Sequence, residues 1–244
     1  SLAAHWRQDW AQESGSDFVA MTRCYRAFKA KEYRLKDARK SGDRVNVEAG
    51  LRAWCDEHFV NFKRVRMAED AMRQIRDEVA QSPLRLENGF GEDRPFDAEA
   101  LTKALASGLT DHVARAEGRG YAGPLGQFVI GRDSVAAEGH ELVLTGGVRK
   151  IPVTGRRGGT DFLHLSDFAA PVKPEWLAEV MPQLCTSTRR GDHSYDSTKD
   201  VVAETEVHRF GDLKIAETRV PSVDDASAAE TFANWLASQM VAQY

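Results

Sequence analysis

The sequence predicts an α+β protein in which helices come first, a small barrel of short strands follows, and a β-hairpin with a last helix closes the chain. Three observations predict it. An apolar period of three and four residues runs from Trp54 to Val79. Beyond Gly108 the texture changes to short apolar or alternating pieces punctuated by glycine. Near the end, Val201 to Phe210 and Leu213 to Val220 flank a tight Gly211-Asp212 turn, and Pro221-Ser222-Val223-Asp224 then reads as a helix cap.

Taken in order, Ser16-Asp17 is a helix start, and Phe18, Met21, Cys24 or Tyr25, and Phe28 follow at helical spacing. Asp37 to Asn46, with Lys40-Ser41-Gly42-Asp43, reads as a polar break. Trp54, His58, Phe62, Val65, Ala68, Met72, Ile75 and Val79 then predict one long helix, with Lys63, Arg66, Asp70, Arg73 and Asp77 on another seam. Ser82-Pro83 ends it. The division expected is a helical domain over 1–83, a linker over 84–96, a β domain over 97–185 and an extension over 186–244.

Within the β domain a short helix spans Asp97 to Gly108. The strands expected are Gln127 to Ile130, His140 to Leu144, Arg149 to Thr154, Asp161 to Leu165 and Ala169 to Val172. Pro171-Val172-Lys173-Pro174-Glu175-Trp176-Leu177-Ala178-Glu179-Val180-Met181-Pro182 reads as a strand end, a Pro-initiated helical turn with a buried Trp and Leu, and a Pro stop. Cys185 through Tyr195 reads as a polar loop. The apolar face of the last helix is expected at Ala229, Phe232, Leu236 and Met240, with Trp235 alongside.

A chain of 244 residues can bury roughly 70 to 75 % of the surface its unfolded form exposes, so it needs no covalent staples. No apolar run approaches the ~20 residues of a membrane span and no signal-peptide pattern opens the sequence, which implies a cytoplasmic protein. Cys24, Cys55 and Cys185 are isolated, without disulfide or zinc spacing. The first residue is Ser1 rather than Met, and the expectation is that sequence upstream is missing. The net charge of -4 argues against a uniformly basic nucleic-acid binder. The charges are segregated, however, and Arg23 to Arg44 holds nine Lys or Arg against three acids.

Several stretches resemble the C-terminal half of DEAH-box RNA helicases. Ser16-Asp17-Phe18 with Tyr25 and Phe28 is similar to the opening of that family's helical domain. Trp54 to Phe62, then Val65-Arg66 and Ile75-Arg76, is similar to its central helix. Leu105 to Ala114 resembles the start of its oligonucleotide-binding (OB) part, and Pro174-Glu175-Trp176-Leu177 resembles the segment that closes it. Tyr195, Val202 to Val207, Phe210-Gly211 and Val220 resemble the HrpA-like branch. Where the family carries a His-Pro-x-Ser-like tetrad, this chain has Gly131-Arg132-Asp133-Ser134. The resemblance implies a ratchet-like helical domain, a small OB-like β-barrel, and a C-terminal hairpin and helix. It also implies a role as the accessory region of an ATP-dependent RNA helicase, holding single-stranded RNA, or DNA, for RecA-like ATPase domains of the same parent chain. The alternative is a stand-alone nucleic-acid-binding or protein-interaction module with no motor.

The sequence contains no phosphate-binding loop and no acidic Asp-Glu-x-His box, so no cofactor is expected in this segment. ATP and Mg would belong to the parent motor. The seven histidines lack metal-ligand spacing. Asp192-His193 beside Cys185 has no activating context for a nucleophile. RNA contacts are expected at two places: Lys63, Arg64, Arg66 and Arg73 on the long helix, and Arg149, Lys150, Arg156 and Arg157 beside Gly155, Gly158 and Gly159. Cations there could neutralise phosphates, and Tyr121 or Phe128 could stack on bases. Each set could equally be a solvated surface, with i,i+4 pairs such as Arg66-Asp70 and Arg73-Asp77, and Tyr121 and Phe128 could be core.

Overall fold

The computed structural model describes residues 10–11, 14–81, 96–136, 139–154 and 160–241. In chain order the helices are α1 (Asp17–Lys40), α2 (Val47–Glu57), α3 (Phe62–Gln81), α4 (Ala98–Gly108), α5 (Pro174–Val180) and α6 (Asp225–Val241). The strands are β1 (Val113–Glu117), β2 (Gly120–Gly123), β3 (Gly126–Ile130), β4 (Leu142–Thr145), β5 (Val148–Thr154) and β6 (Thr160–Ser166), then β7 (Ala169–Pro171), β8 (Cys185–Arg189), β9 (Ser194–Asp196), β10 (Val201–Phe210) and β11 (Leu213–Pro221). The α+β class, with helices first and a C-terminal hairpin and helix, is as the sequence predicts. The linker at 84–96 lies outside the described residues up to position 95. Two compact units form, each from separated stretches. The first is Ser1–Thr102, Ile130–Glu138 and Gly146–Ala170; the second is Lys103–Val129, Gly139–Thr145 and Pro171–Tyr244.

In the first unit α1 starts where Ser16 caps it, the hydroxyl accepting from the Val19 N–H at 3.3 Å. Val19, Ala20, Cys24 and Phe28 are buried along one face. The helix runs on to Lys40, into the stretch read as a break, because Arg39 and Lys40 suit its carbonyl end and the Ser41 hydroxyl donates to the Asp37 carbonyl at 3.1 Å. Asn46 caps α2, accepting from the Ala49 N–H at 3.1 Å. Leu51 and Cys55 bury against Phe28, with Leu35, Val47, Trp54, Val60, Phe62 and Val65 around them.

The period from Trp54 to Val79 is two helices, not the single one expected. Phe59 adopts φ 55°, its N–H donates to the Asp56 carbonyl at 3.3 Å, and the Val60 N–H donates to the Cys55 carbonyl at 2.8 Å. These are the paired bonds of a left-handed helix stop, completed by Val60 packing on the core beside Cys55. Asn61 then restarts the chain by accepting from the Arg64 N–H at 3.0 Å. The turn keeps His58 and Phe62 four residues apart, so apolar spacing cannot register it. In α3 no residue is fully buried. Phe62 and Val65 reach the core, while Met67, Met72 and Ile75 are exposed, so the expected core face fades along the helix.

The buried Asp17 carboxylate accepts from the Ser134 hydroxyl, from the Val135 N–H at 3.1 Å and from the Ala169 N–H at 2.9 Å. It ties the start of α1 to two segments more than a hundred residues away, all within the first unit. The same unit holds the antiparallel β5–β6 hairpin, in register from Val148 opposite Ser166 to Thr154 opposite Thr160.

The second unit contains an antiparallel ladder in which β1 pairs with both β2 and β4 and β2 pairs with β3. Strands β1 and β2 are additions to the sequence reading; glycines at 118, 120 and 123 interrupt the apolar run and hide them. Tyr121 and Phe128 face each other across β2 and β3, buried and stacked at 6.0 Å. A Cβ on Gly120 would lie 2.5 Å from the Phe128 carbonyl oxygen, so only glycine allows this approach. Helix α5 has Pro174 in its first turn and Leu177 fully buried. Trp176 is only half-buried, correcting its expected burial, and the Lys173 ammonium lies 5.0 Å from its ring centre.

Residues 185 to 195 are not a loop. Strands β8 and β9 both pair with β10, which also pairs with β11. The side chains of β8 are largely exposed, so no apolar alternation marks it; Arg189 to Glu204 at 2.9 Å and Arg190 to Glu217 at 2.6 Å help hold the sheet instead. Asp224 caps α6. Its inward side is Ser227, Ala228, Thr231 and Trp235, with Trp235 4.3 Å from Tyr195. The expected face is therefore offset: Ala229 is exposed, as are Phe232 at 40 % and Leu236 at 47 %, and the Met240 side chain lies outside those described. Among the described residues no helix is long and apolar enough to cross a membrane.

Asp17→Ala leaves the Val135 and Ala169 amides without this acceptor and is expected to destabilise the protein by about 3 kcal/mol in urea denaturation. Phe59→Gly is expected to do the reverse, raising the unfolding free energy read from urea denaturation by about 0.5 to 1 kcal/mol, because it removes the left-handed penalty of a side chain that is 58 % exposed. Equal or opposite effects would refute these assignments.

Candidate nucleic-acid interface

Both sets of expected RNA contacts fall in the first unit. On α3, Lys63, Arg66 and Arg73 lie within about 80° of one another around the helix, whereas Arg64 is about 100° from Lys63 and on the side opposite Arg73. Lys63 and Arg64 are exposed and form no ion pair among the described residues. Arg73 is exposed and pairs with Asp70 at 3.2 Å. Arg66 is different. It pairs with Glu69 at 2.5 Å and with Glu32 of α1 at 3.4 Å, and its guanidinium lies over the rings of Phe28 and Phe62. The pairs that form within α3 are i,i+3 rather than the i,i+4 pairs anticipated, and a further, longer one reaches across to α1.

Glu32 is the centre of that network. It is 5 % exposed and meets Lys29, Lys36 at 3.1 Å and Arg66, while Lys29 also reaches Glu69 at 2.9 Å. Burial pushes its carboxyl pKa up, but the bonds from Lys29 and Lys36 outweigh that and hold it at about 2. Arg66 thus serves mainly to join α1 to α3. Beside this network a cavity of about 650 Å³ opens among Lys36, Arg39, Asp43, Arg44 and Asn46. Arg39 and Arg44 are exposed there and form no ion pair among the described residues.

The second set sits on the β5–β6 hairpin. Arg149 donates two bonds to Asp167, at 2.5 and 3.0 Å. Lys150 is placed otherwise, its ammonium 4.0 Å from the centre of the Phe162 ring. Arg156 and Arg157, with their flanking glycines, lie outside the described residues. Pairing of Lys150 with His164 and of Pro152 with Phe162 puts these four side chains on one face, and all four are exposed, Phe162 at 56 %. No ion pair or ring contact among the described residues joins this set to the one on α3.

Phe162 was not among the aromatic candidates in the sequence. Tyr121 and Phe128, named there, are core. The available signal was alternation: Phe162 and His164 share a parity with Lys150 and Pro152, whereas Leu163 and Leu165 take the other side. In the second unit the His208 ring lies between the Ser187 hydroxyl at 2.8 Å and the Thr218 hydroxyl at 2.9 Å, on an open sheet face. Burial raises the pKa of the Cys185 thiol, the reverse of what a nucleophile needs, and burial with Cys55 nearby raises that of Cys24 to about 11. Among the described residues no cluster of His, Cys, Asp and Glu could hold a metal ion.

No protein-family model matches the chain. Among solved structures it is distantly similar to part of the Escherichia coli DExH-box NTPase HrpB, at 15 % identity and a TM-score of 0.32 over 66 % of this chain and 22 % of that one. It is also similar to the Escherichia coli DEAH/RHA helicase HrpB, at 16 % identity and a TM-score of 0.30 over 63 % of this chain and 22 % of that one. The chain thus spans 22 % of the length of the helicase chains it matches.

The Glu32 network makes a pH prediction. A folded-state pKa near 2, below an unfolded value of about 4.3, contributes stability that is complete above the unfolded value and is lost as pH falls through the folded one. Glu32→Gln should therefore destabilise the protein at pH 7 by about 1 to 3 kcal/mol, the partners' exposure lowering the figure. The difference should shrink between pH 5 and pH 2 in denaturant titrations. A constant difference across that range would exclude this role.

Proposed function

We propose that this chain is the accessory C-terminal region of an ATP-dependent RNA helicase, a region that holds single-stranded RNA and couples it to RecA-like ATPase domains outside this chain. ATP and Mg would act in those domains and not here. On this reading residues 1–83 serve as the ratchet-like domain, 97–185 as the OB-like domain and 186–244 as its extension. The sequence resemblance to DEAH-box helicases motivates the motor, and the hairpin supports RNA holding.

The observation that carries RNA holding is the exposed face of β5 and β6. An aromatic ring more than half exposed, with an ammonium over it and Pro152 opposite, presents a flat apolar surface next to a positive charge. A base can stack on Phe162 while Lys150 turns from the ring to the adjoining phosphate; such stacking contributes ~1 to 3 kcal/mol per base. Lys63, Arg64 and Arg73 supply further charge on α3. Arg66 would contribute least, because two carboxylates already neutralise it.

Anisotropy titration of a labelled single-stranded RNA tests this. Phe162→Ala is expected to weaken binding roughly five- to a hundredfold. Neutralising about four phosphates should give a log–log salt slope near -2.8. An unchanged affinity in Phe162→Ala together with a flat salt response would reject RNA holding. ATP-driven unwinding by the parent protein tests the motor separately.

A further inference from the structure

We propose that α1 and α2 form a second recognition element, a slot that takes one nucleotide unit by stacking its base on Trp54 and His58 and its phosphate on Lys31 and Arg34. The slot is a cavity of about 350 Å³ lined by Trp10, Ala27, Ala30, Lys31, Arg34, Trp54, Glu57 and His58, all in the first unit. That volume lies within the range of small-molecule sites. Where the nucleotide belongs to a strand, the inference deepens RNA holding; a free nucleotide would fit by the same chemistry.

Its walls differ in kind. One is aromatic: Trp54 and His58 stack at 4.1 Å with planes 20° apart, and Trp10 stands 6.3 Å from Trp54 and 5.9 Å from His58. The other is the face of α1 formed by residues 27, 30, 31 and 34, where Ala27 and Ala30 leave room and Lys31 and Arg34 place charge beside it. Neither cation forms an ion pair among the described residues. That distinguishes them from Lys29 and Lys36 on the same helix, both held by Glu32.

The polar groups suit a heterocycle rather than a plain hydrocarbon. His58 Nδ1 lies 2.8 Å from the Trp54 carbonyl, which can only accept, so Nδ1 donates, and in the tautomer this bond selects Nε2 is the acceptor. With the Glu57 carboxylate, the slot therefore offers two acceptors for ring N–H and exocyclic amino groups. A planar ring edged with donors and carrying an anion is a nucleotide. Purines should bind more tightly than pyrimidines because they offer more stacking area.

The test uses tryptophan fluorescence of the full chain titrated with GMP, UMP, inorganic phosphate and a short single-stranded RNA. Ala30→Leu fills the slot from an exposed position, and Arg34→Glu reverses the phosphate charge at another, so neither is expected to unfold the protein. Saturable quenching by GMP, weaker with UMP and absent with phosphate, should fall at least tenfold in affinity in both variants. Quenching by the RNA alone, lost in Ala30→Leu, would also support the slot and identify a strand as its occupant. Absence of quenching by both GMP and the RNA, or quenching unchanged in Ala30→Leu, would overturn it. If Phe162→Ala abolishes RNA binding while Ala30→Leu leaves it intact and GMP is silent, the slot fails and the hairpin reading stands. If GMP binds but RNA does not, RNA holding fails and the slot stands.

Discussion

The first unit depends on one buried carboxylate. Asp17 sits at the head of α1, where the unpaired amides of a helix favour negative charge, but its oxygens also serve two distant stretches of backbone. Around residues 134 and 169 the chain has no long element of its own to anchor it. Binding both to the same side chain lets residues separated by more than a hundred positions join one compact unit with the helices. A carboxylate is suited to this because its two oxygens accept several bonds at once, and a charged acceptor makes stronger bonds than an amide would. Ser134 belongs to the same node: its hydroxyl donates to Asp17 and accepts from the Ala136 N–H at 3.1 Å. A role in shaping the loop accounts for this serine without any contact to nucleic acid.

Glu32 does for the helices what Asp17 does for the loops, with a consequence for function. Arg66, the most central cation of the α3 seam, is held on Glu32 and Glu69 and over two aromatic rings. Its charge is compensated and its side chain ordered, which are the attributes of a structural residue. The pattern of cations along a helix shows where charge could be presented. Whether it is presented depends on acids contributed by another helix, and that information is not local.

The same division runs through what the sequence revealed. Elements with strong punctuation were legible: the Ser16 cap, the β10–β11 hairpin about Gly211, the Pro174 start of α5 and the Asp224 cap of α6. Besides β1 and β2, hidden by their glycines, what escaped was of three kinds. The stop at Phe59 preserves helical spacing while breaking the helix, because a left-handed residue and a fresh cap at Asn61 replace one turn. Strands β8 and β9 are polar and tied in part by arginine–carboxylate pairs, so no alternation announces them. The faces of α3 and α6 depend on what packs against them, and a periodic pattern cannot specify which of its apolar residues find partners. The site followed the same rule: its cations were visible as residue types, but the exposure of Phe162 and the burial of Tyr121 and Phe128 arise only once strands pair.

The net charge of -4 hides an uneven commitment of the cations. In the second unit Lys103, Arg115, Arg189, Arg190, Lys214 and Arg219 each meet a carboxylate, among them Arg115 with Glu141 at 2.8 Å and Lys103 with Glu179 at 2.6 Å. Those charges brace the sheet and its neighbours and offer little to a phosphate. In the first unit Lys31, Arg34, Arg39, Arg44, Lys63 and Arg64 form no ion pair among the described residues, and Lys150 leans on a ring rather than on an acid. A phosphate competes poorly with a carboxylate already in contact but readily with water, and the local potential near a strand is set by charges within about a Debye length, roughly 8 to 10 Å, rather than by the total. Lys29, Lys36, Arg52, Arg66, Arg73 and Arg149 of the first unit are paired as well, so the acidic balance of the whole chain is compatible with a local basic surface only where that surface is built from the cations that are not already paired.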